Sequence, residues 1–495
     1  MEKKNNRWVI IAWLVIMLAG AALLFSGITK ESLWYDESYT AAIVNHPFGE
    51  IITISGADSH PPLYYLMLRV FCLVFGRSVL ALRSFSTLGI LALAALGIGP
   101  VRRALGNRYG LIFTFLTLIM PISYSMAHET RMYTWAAFFV TAALLFGYLA
   151  VRENRVKDWT RFGVFAFCAM YTHYYALMAV AMLCVLLFIM MLIGKKKLAP
   201  LLITGGILVL SYLPWLINLA AQYSRVTKSY WITETTGYVI NLTLIYPFSN
   251  KFSVAWSIIP VEAAFITAAS LIVFGIIIQS IKKDKNVTLS ILAIGVYVLT
   301  LGAAVAASHI IRPVLVERYM MPVLGAFILG LTFGIGCLGK KILPIIGCAV
   351  ILAFAVPQTY FTMIHRFNGP MTEAVEFIEP QIQPGDVFLH TDEQTLGTFT
   401  YYFPEYQHYY YQKEGTGGYS NYDAFLPTGV MVESPDEIET TGRVWLIQRN
   451  NGTDTQSAGE WMRSKYFILN GTPKTLRVDM SWYSIVIYPG TFSEK

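Results

Sequence analysis

The stretch Leu33-Trp34-Tyr35-Asp36-Glu37-Ser38, followed by Asp58-Ser59-His60-Pro61-Pro62-Leu63-Tyr64-Tyr65, decides how this chain is interpreted. It places two adjacent carboxylates, and then an aspartate and a histidine, after one apolar segment and before the next. Ionisable side chains are costly at a membrane boundary, and their usual explanation there is a functional site. The stretch therefore raises the question of whether other reactive groups lie on the same side of a membrane.

The composition is that of a membrane protein. Of the 495 residues, 55% are hydrophobic and 14% are charged, whereas soluble domains carry about 25% charged residues. We interpret residues 8–28 as a retained anchor, because this run is longer than a signal-peptide core and lacks a cleavage pattern. The net charge of +7 indicates topology rather than nucleic-acid binding, since basic residues gather in short cytoplasmic loops. The five cysteines show no spacing typical of a zinc site or a disulfide framework.

The apolar runs predict a polytopic α-helical fold with about eleven transmembrane helices. We expect them at residues 8–28, 79–100, 109–127, 131–150, 161–173, 174–194, 198–218, 257–280, 287–308, 318–338 and 341–363. The run Pro61–Gly76 is apolar, but it begins with two prolines and contains Arg69. We interpret it as a short amphipathic helix in the membrane interface rather than as a span.

The basic residues decide the orientation. If residues 61–76 lie flat, the basic loop clusters all fall on one side, which makes that side cytoplasmic. The outer side then receives most of the reactive side chains. They are His46, His60, His128, His173, His309, His365, His390, His408, Asp36, Glu37, Asp58, Glu129, Arg131, Arg312, Glu317 and Arg318.

The residues after Met363 predict a small extracytoplasmic α/β domain, residues 364–495, behind a membrane domain of residues 1–363. Helices are expected at 372–380 and 458–465, a helix or an irregular aromatic stretch at 393–403, a turn at 384–386, and strands at 387–390, 443–448 and 483–488. The tyrosine-rich runs 401–406 and 409–411 suit either stacking on sugar rings or packing against the membrane domain.

Asp36 is the candidate general base, because a carboxylate at the mouth of an apolar cavity can accept a proton from a substrate hydroxyl. The alternative is that Asp36 only caps a helix near the membrane. Glu37 has three interpretations: it holds Asp36 in place, binds a cation, or faces solvent.

His60 precedes a helix N-terminus, where backbone N–H groups and the helix dipole favour an anion. It is a candidate phosphate contact. Together with Asp58 it could instead coordinate a metal, although Asp-x-His is a weak metal motif, or it could be a plain polar boundary. The metal requirement is left open, with a divalent cation as one possibility.

Two arginine segments supply further candidates. Arg131 and Arg318 suit a phosphate, because the guanidinium fork matches phosphate geometry. Arg131 paired only with Glu129 is the alternative. Other candidate pocket residues are Asp58, Glu129, Tyr133, Tyr171, His173 and Arg312, and for the aromatic ones simple packing is the competing explanation.

A base and several cationic donors beside lipid indicate transfer of a sugar from a lipid-phosphate donor. The cations would stabilise the departing phosphate. This reaction needs no nucleotide, which agrees with the lack of a Gly-rich phosphate loop in the sequence. A transporter or flippase for a lipid-linked sugar is the alternative, but transporters usually show internal repeats and midplane charges, which this sequence lacks. A non-catalytic envelope scaffold would leave Asp36 and Glu37 unexplained.

The chain resembles the polytopic glycosyltransferases of the GT-C class, in the branch of the protein O-mannosyltransferases and the lipid A aminoarabinose transferases. The resemblance extends over residues 8–340, and its motifs occur in the family's order. They are Asp36-Glu37, His60-Pro61-Pro62-Leu63-Tyr64-Tyr65, Arg83-Ser84, Glu129-x-Arg131-x-Tyr133, Tyr171-Thr172-His173-Tyr174 and Arg318-Tyr319-x-x-Pro322.

The resemblance implies a polyprenyl-phosphate sugar donor, inversion at the anomeric carbon, and Asp36 as the base. It also implies phosphate contacts from His60, Arg131 and Arg318, although some relatives carry a lysine in place of His60. The expected location is the bacterial plasma membrane with the site outside the cytoplasm. The acceptor, a lipid, glycan or protein of the cell envelope, is left open.

Overall fold

The computed structural model describes residues 2–226, 232, 234–250, 258–339, 342–365, 371–412, 422–450, 454–477 and 484–492. The helices are α1 Glu2–Phe25, α2 Tyr35–Ile43, α3 Phe48–Ala57, α4 Leu63–Phe75, α5 Val79–Ala95, α6 Arg102–Leu105, α7 Asn107–Ile119, α8 Pro121–Ala127, α9 Tyr133–Glu153, α10 Val156–Met170, α11 Tyr174–Ile193, α12 Ala199–Val226, α13 Gly237–Ile245, α14 Ile258–Ile281, α15 Val287–Ile310, α16 Leu324–Gly336, α17 Ile342–Ile364, α18 Met371–Ile378, α19 Glu393–Tyr402 and α20 Asp454–Tyr466. A π-helical turn, Gly97–Val101, joins α5 to α6, and a 3₁₀ segment, Glu317–Val323, leads into α16.

Within the described ranges, nine helices are long and apolar enough to cross a membrane, or ten if α7 and α8 form one span. The α7–α8 pair bends by 60° where Pro121 begins α8, because proline cannot donate the hydrogen bond that would continue α7. The predicted span 161–173 corresponds to α10, whose 15 residues are too few to cross a ~30 Å hydrocarbon core as a straight helix. The predicted fold class, an α-helical membrane protein with a small C-terminal sheet region, is confirmed.

The segment between α1 and α5 contains three short helices instead of a further span. Helix α4 has 13 residues, which is ~20 Å at 1.5 Å per residue and too short for a ~30 Å hydrocarbon core. Val70, Leu73, Val74 and Phe75 are exposed on it, while Tyr64 and Tyr65 are buried. The expected short amphipathic helix is present, whereas α2 and α3 were not predicted.

At the end of the bundle away from Asp36, arginines of one loop bind residues of a neighbouring loop. Arg103 binds Glu153 at 2.6 Å and Asp158 at 2.5 Å, and Arg108 donates to the carbonyl of Gly339 at 3.1 Å. The basic loops around residues 103, 108 and 153–158 therefore lie at one end of the bundle, while the membrane orientation stays a prediction.

The described residues of the C-terminal region form a seven-stranded sheet, in the order β3-β2-β1-β4-β7-β5 with β6 pairing with β7. The strands are β1 Val387–His390, β2 Gln407–Tyr411, β3 Gly429–Val432, β4 Val444–Asn450, β5 Phe467–Leu469, β6 Lys474–Arg477 and β7 Ser484–Phe492. Strands β1 to β4 are parallel neighbours, and β7 is antiparallel to β4, β5 and β6. The structure contains the predicted elements α18, β1, α19, β4, α20 and β7. Strands β2, β3, β5 and β6 were not predicted. Tyr483, the first residue of the predicted strand 483–488, lies outside the described residues.

The sheet region packs directly on the loops of the membrane part. Tyr402 Oη accepts a hydrogen bond from the Leu33 amide at 3.1 Å, and Tyr401 Oη donates to the Arg77 carbonyl at 2.7 Å. Residues 409–411 lie inside strand β2. The contacts therefore favour packing over sugar stacking for Tyr401 and Tyr402, and the domain boundary at 363/364 remains a prediction.

Candidate active site

A buried ion pair fixes the loop that carries Asp36. Arg83 of α5 donates to both carboxylate oxygens of Glu37, at 2.9 and 2.7 Å, and the two side chains are 1% and 0% exposed. The same guanidinium donates to the carbonyls of Ile28, Glu31 and Ser32. Glu37 also accepts from the Thr130 amide at 2.9 Å. Glu37 is therefore a positioning residue, and the solvent-facing interpretation of it does not hold.

Helix α2 presents Asp36 in its first turn. The residue that caps this helix is Trp34, which makes no side-chain cap, so the interpretation of Asp36 as a cap is not supported. The Asp36 side chain is 21% exposed, and its Oδ2 atom lies 3.8 Å from Nη2 of Arg318. Asp36 is thus an accessible carboxylate beside a cation.

Arg131, at the turn between α8 and α9, contacts the backbone of Asp36. Its Nη1 atom donates to the Asp36 carbonyl and to Thr40 Oγ1, both at 3.3 Å, and its Nη2 atom contacts His60 Nε2 at 3.4 Å. Arg131 is buried. The segments around Asp36, His60 and Arg131 therefore meet at one point.

His60 and Asp58 orient Arg131. A guanidinium can only donate, so His60 Nε2 accepts from Arg131 and His60 Nδ1 carries the proton. That proton points at Asp58 Oδ2, 3.1 Å away. Burial opposes the charge on Asp58, but the hydrogen bond from His60 and the charge of Arg131 hold its pKa below the usual value. In this arrangement His60 holds Arg131, and its predicted direct contact with phosphate stays a prediction.

Arg318 is positioned by aromatic side chains. Its Nε atom donates to Tyr133 Oη at 3.1 Å, and its guanidinium carbon lies 5.8 Å from the centre of the Trp34 ring, within cation–π range. Glu129 is buried, and its charge acts on both Tyr133 and Arg318. The predicted residues Tyr133 and Glu129 therefore belong to the Asp36 site.

His173 and Tyr171 have different roles. The His173 ring lies 6.2 Å from that of His60 and 5.7 Å from that of Tyr133, but its Nδ1 atom accepts from the Tyr175 amide and caps α11. Burial lowers the pKa of His173 well below its usual value, and the nearby charges act in the same direction. Tyr171 donates its hydroxyl to the Ser211 carbonyl at 2.7 Å, and its own carbonyl accepts from the Leu63 amide at 3.0 Å. His173 lines the site, while Tyr171 anchors the start of α4.

Arg312 is half-buried on the segment between α15 and the turn at Glu317–Val323, and its role stays a prediction. The eight histidines do not form one cluster. His128, for example, contacts the Leu24 carbonyl, and His390 and His408 contact each other inside the sheet at 3.0 Å. Across the described ranges of the chain, no group of three or more His, Cys, Asp or Glu side chains forms a metal-binding arrangement.

The roles of Arg83 and Thr40 were not predicted from the sequence. Arg83 is a charged residue inside an apolar helix, and such a residue must find a partner. That signal was sufficient to predict an ion pair with one of the carboxylates of the first loop. Thr40 carried no comparable signal, because its contact with Arg131 depends on how two distant loops fold together.

Residues 59–217 match the model of the dolichyl-phosphate-mannose-protein mannosyltransferase family. The matched part is less than half of the chain and begins after Asp36 and Glu37. The apo structure of ArnT from Cupriavidus metallidurans aligns with a TM-score of 0.62 at 13% identity, over 97% of this chain and 98% of ArnT. The chain shares its fold with ArnT, and residues 59–217 match the mannosyltransferase family.

A second GT-C structure, ArnT from the same organism bound to undecaprenyl phosphate, aligns with a TM-score of 0.61 at 13% identity, over 96% of this chain and 98% of that one. At such low identity the likeness shows the fold. No curated protein matches the sequence significantly. The predicted GT-C resemblance is confirmed, and the helices identify an integral membrane protein.

Proposed function

We propose that the protein transfers a sugar, a hexose or a pentose, from a polyprenyl-phosphate donor to an acceptor of the cell envelope. The observation that carries this proposal is that two arginines converge on the segment of Asp36. Arg318 lies 3.8 Å from the Asp36 carboxylate, and Arg131 donates to the Asp36 backbone carbonyl at 3.3 Å. A proton acceptor with one cation at its carboxylate and a second at its backbone suits a reaction in which a hydroxyl attacks and a phosphate leaves.

The reaction is a single displacement. Asp36 accepts the proton of the acceptor hydroxyl, and the acceptor oxygen forms a bond to the anomeric carbon. The bond from that carbon to the phosphate oxygen breaks, and the polyprenyl phosphate leaves with the electron pair. Attack on the face opposite the leaving group inverts the anomeric carbon.

Arg131 and Arg318 are the proposed phosphate contacts. They stabilise the negative charge that grows on the leaving phosphate, and buried charges do this more effectively than solvated ones. His60 serves the same purpose by holding Arg131, with a direct phosphate contact as its predicted second role. Binding of the donor draws Arg318 from Asp36 to the phosphate and frees the carboxylate.

Tyr133, His173, Glu129 and Asp58 form the proposed wall of the sugar and acceptor pocket. Arg312 and Tyr171 remain candidates for this wall. Glu37 is paired with Arg83 and Asp58 with His60, and a divalent cation at the site stays an untested part of the prediction.

We place the site on the outer face of a bacterial plasma membrane. The charge pattern supports this orientation, since the basic clusters lie at the opposite end of the bundle. The sheet region, which packs on the site loops, is then an extracytoplasmic domain of residues 364–495.

The test uses a deletion strain and lipid extracts, which reveal the donor lipid whatever sugar it carries. Mass spectrometry of the strain should show accumulation of one polyprenyl-phosphate sugar. Wild-type protein should remove it. Asp36→Asn, present at the same membrane level, should leave it in place, since the amide cannot accept the proton.

The matched control is Glu50→Gln, which changes an exposed carboxylate of the same loop and should behave as wild type. Full clearance of the donor by Asp36→Asn would remove Asp36 as the base. Absence of any accumulating lipid-linked sugar in the deletion strain would contradict the proposed function itself.

A further inference from the structure

The first turn of α4 contains two adjacent buried tyrosines whose hydroxyls differ. Tyr64 and Tyr65 are both 0% exposed. The Tyr64 hydroxyl lies 3.3 Å from Ser86 Oγ and is hydrogen-bonded. Over the part of the chain that the structure describes, the Tyr65 hydroxyl has no hydrogen-bond partner. A buried polar group without a partner destabilises a protein, so Tyr65 needs an explanation that Tyr64 does not.

The surroundings of the Tyr65 hydroxyl indicate what it binds. The charges of Arg131, Asp58 and Asp36 act on it, and burial raises its pKa, so it stays protonated and can donate. The Arg131 Nε atom is also buried and has no partner among the described residues. The Tyr65 hydroxyl and the Arg131 Nε–H are therefore two buried donors without partners, on side chains close enough for the charge of one to act on the other.

We propose that Tyr65 binds the donor phosphate, with its hydroxyl and the Arg131 Nε–H donating to phosphate oxygens. This inference rests on the proposed function and adds a residue to it. Phosphate suits the pair because its oxygens accept several hydrogen bonds at once and because a negative charge offsets that of Arg131. Tyr65 follows His60 at the start of α4, so the loop that orients Arg131 also supplies the second donor.

The alternative is that the Tyr65 hydroxyl has a structural role only. Tyr64 provides the matched comparison, since it is adjacent, equally buried and hydrogen-bonded. Tyr64→Phe removes a satisfied hydrogen bond and should lower the unfolding temperature. Tyr65→Phe removes an unsatisfied hydroxyl and keeps the ring, so the unfolding temperature without lipid should be unchanged or higher.

The experiment measures binding of undecaprenyl phosphate to the full-length purified protein by native mass spectrometry. Undecaprenol and inorganic phosphate are titrated in parallel, to separate recognition of the lipid phosphate from binding of the chain or of free phosphate. Wild-type protein should prefer undecaprenyl phosphate over both. Tyr65→Phe should weaken that binding by about tenfold without changing undecaprenol binding, and Tyr64→Phe should leave both affinities within about twofold of wild type.

Three results would overturn the inference. Undiminished binding of undecaprenyl phosphate by Tyr65→Phe would show that the hydroxyl does not contact the phosphate. Loss of stability equal to that of Tyr64→Phe would assign it a structural role. If wild-type protein binds undecaprenol as tightly as undecaprenyl phosphate, the proposed donor is wrong and the role of Tyr65 fails with it. If wild-type protein prefers undecaprenyl phosphate and Tyr65→Phe binds it equally well, only the role of Tyr65 is wrong and the proposed function stands.

Discussion

At the scale of single residues, the adjacent carboxylates Asp36 and Glu37 differ in their surroundings. Asp36, the proposed base, is accessible and lies beside Arg318, whereas Glu37 is fully buried against Arg83. The two carboxylates therefore suit different tasks, because α2 turns one to the surface and the other into the bundle.

Replacing Arg83 with glutamine should destabilise the protein strongly. It leaves the Glu37 carboxylate buried without its ion-pair partner, and breaking such a pair costs about 3–5 kcal/mol. The unfolding temperature of the purified protein in detergent measures the effect. Arg161→Gln is the control, because Arg161 is 48% exposed and 3.6 Å from Asp158, and exposed pairs contribute only about 0–1 kcal/mol. Equal unfolding temperatures for the two variants would show that the Arg83–Glu37 pair does not hold the loop.

The sequence marked Asp36, Arg131 and Arg318 as candidates, because charged residues at apolar boundaries usually have a function, and the structure brings the three segments together. It left three interpretations of Glu37 and did not distinguish Tyr64 from Tyr65. Those differences depend on which distant residue, Ser86 or Arg83 for instance, the fold brings next to each side chain.

At the scale of elements, α19 of the sheet region packs on α2, the helix that carries Asp36. Gly397 faces the Tyr35 ring so closely that a Cβ atom there would lie 2.8 Å from Tyr35 Cδ2 and 3.1 Å from Phe425 Cζ. Phe425 in turn packs against Tyr39, with ring centres 5.7 Å apart. The sheet region therefore helps to position the base.

Gly397→Ala should reduce sugar transfer several-fold, because the added methyl group pushes α2 and with it Asp36. The measured quantity is the amount of donor lipid that remains in the complemented deletion strain. Gly205→Ala is the control, since a Cβ atom at Gly205 of α12 meets nothing within 4 Å and alanine favours helix. Wild-type donor clearance by Gly397→Ala would show that α19 does not position α2.

The long apolar helices were predictable from length and hydropathy, and α1, β1 and β4 were predicted within a few residues. Helices α2 and α3 were not, because they are short and are stabilised more by packing, α2 on α19 and α3 on α12 and α4, than by their own sequence. Strand β2 was missed because its tyrosine-rich sequence suits a binding surface as well as a buried strand.

At the scale of the whole molecule, the two ends of the bundle differ in chemistry. One end carries the arginine pairs with Glu153 and Asp158, and the other carries the Asp36 site and the sheet region. The fold shared with ArnT at 13% identity shows that this architecture tolerates extensive sequence change.

The orientation of the bundle predicts the outcome of a topology experiment. A reporter enzyme that is active only outside the cytoplasm, fused after Gly76, should be active, because α4 does not cross the membrane. The same reporter fused after Arg103 should be inactive, since α5 crosses between the two points. A cytoplasmic Gly76 would place the Asp36 loop on the wrong side for an external donor.

In the proposed reaction, Asp36 removes the proton of the acceptor hydroxyl while a polyprenyl phosphate leaves. The most direct measurement follows the donor lipid isolated from the deletion strain, incubated with purified protein in lipid nanodiscs and with membranes of that strain as the source of acceptor. Wild-type protein should convert the lipid-linked sugar to free polyprenyl phosphate, and Asp36→Asn should bind the donor but release none. Equal release by Asp36→Asn would contradict the role of Asp36, and an intact donor with wild-type protein would contradict sugar transfer and favour a lipid-linked-sugar flippase.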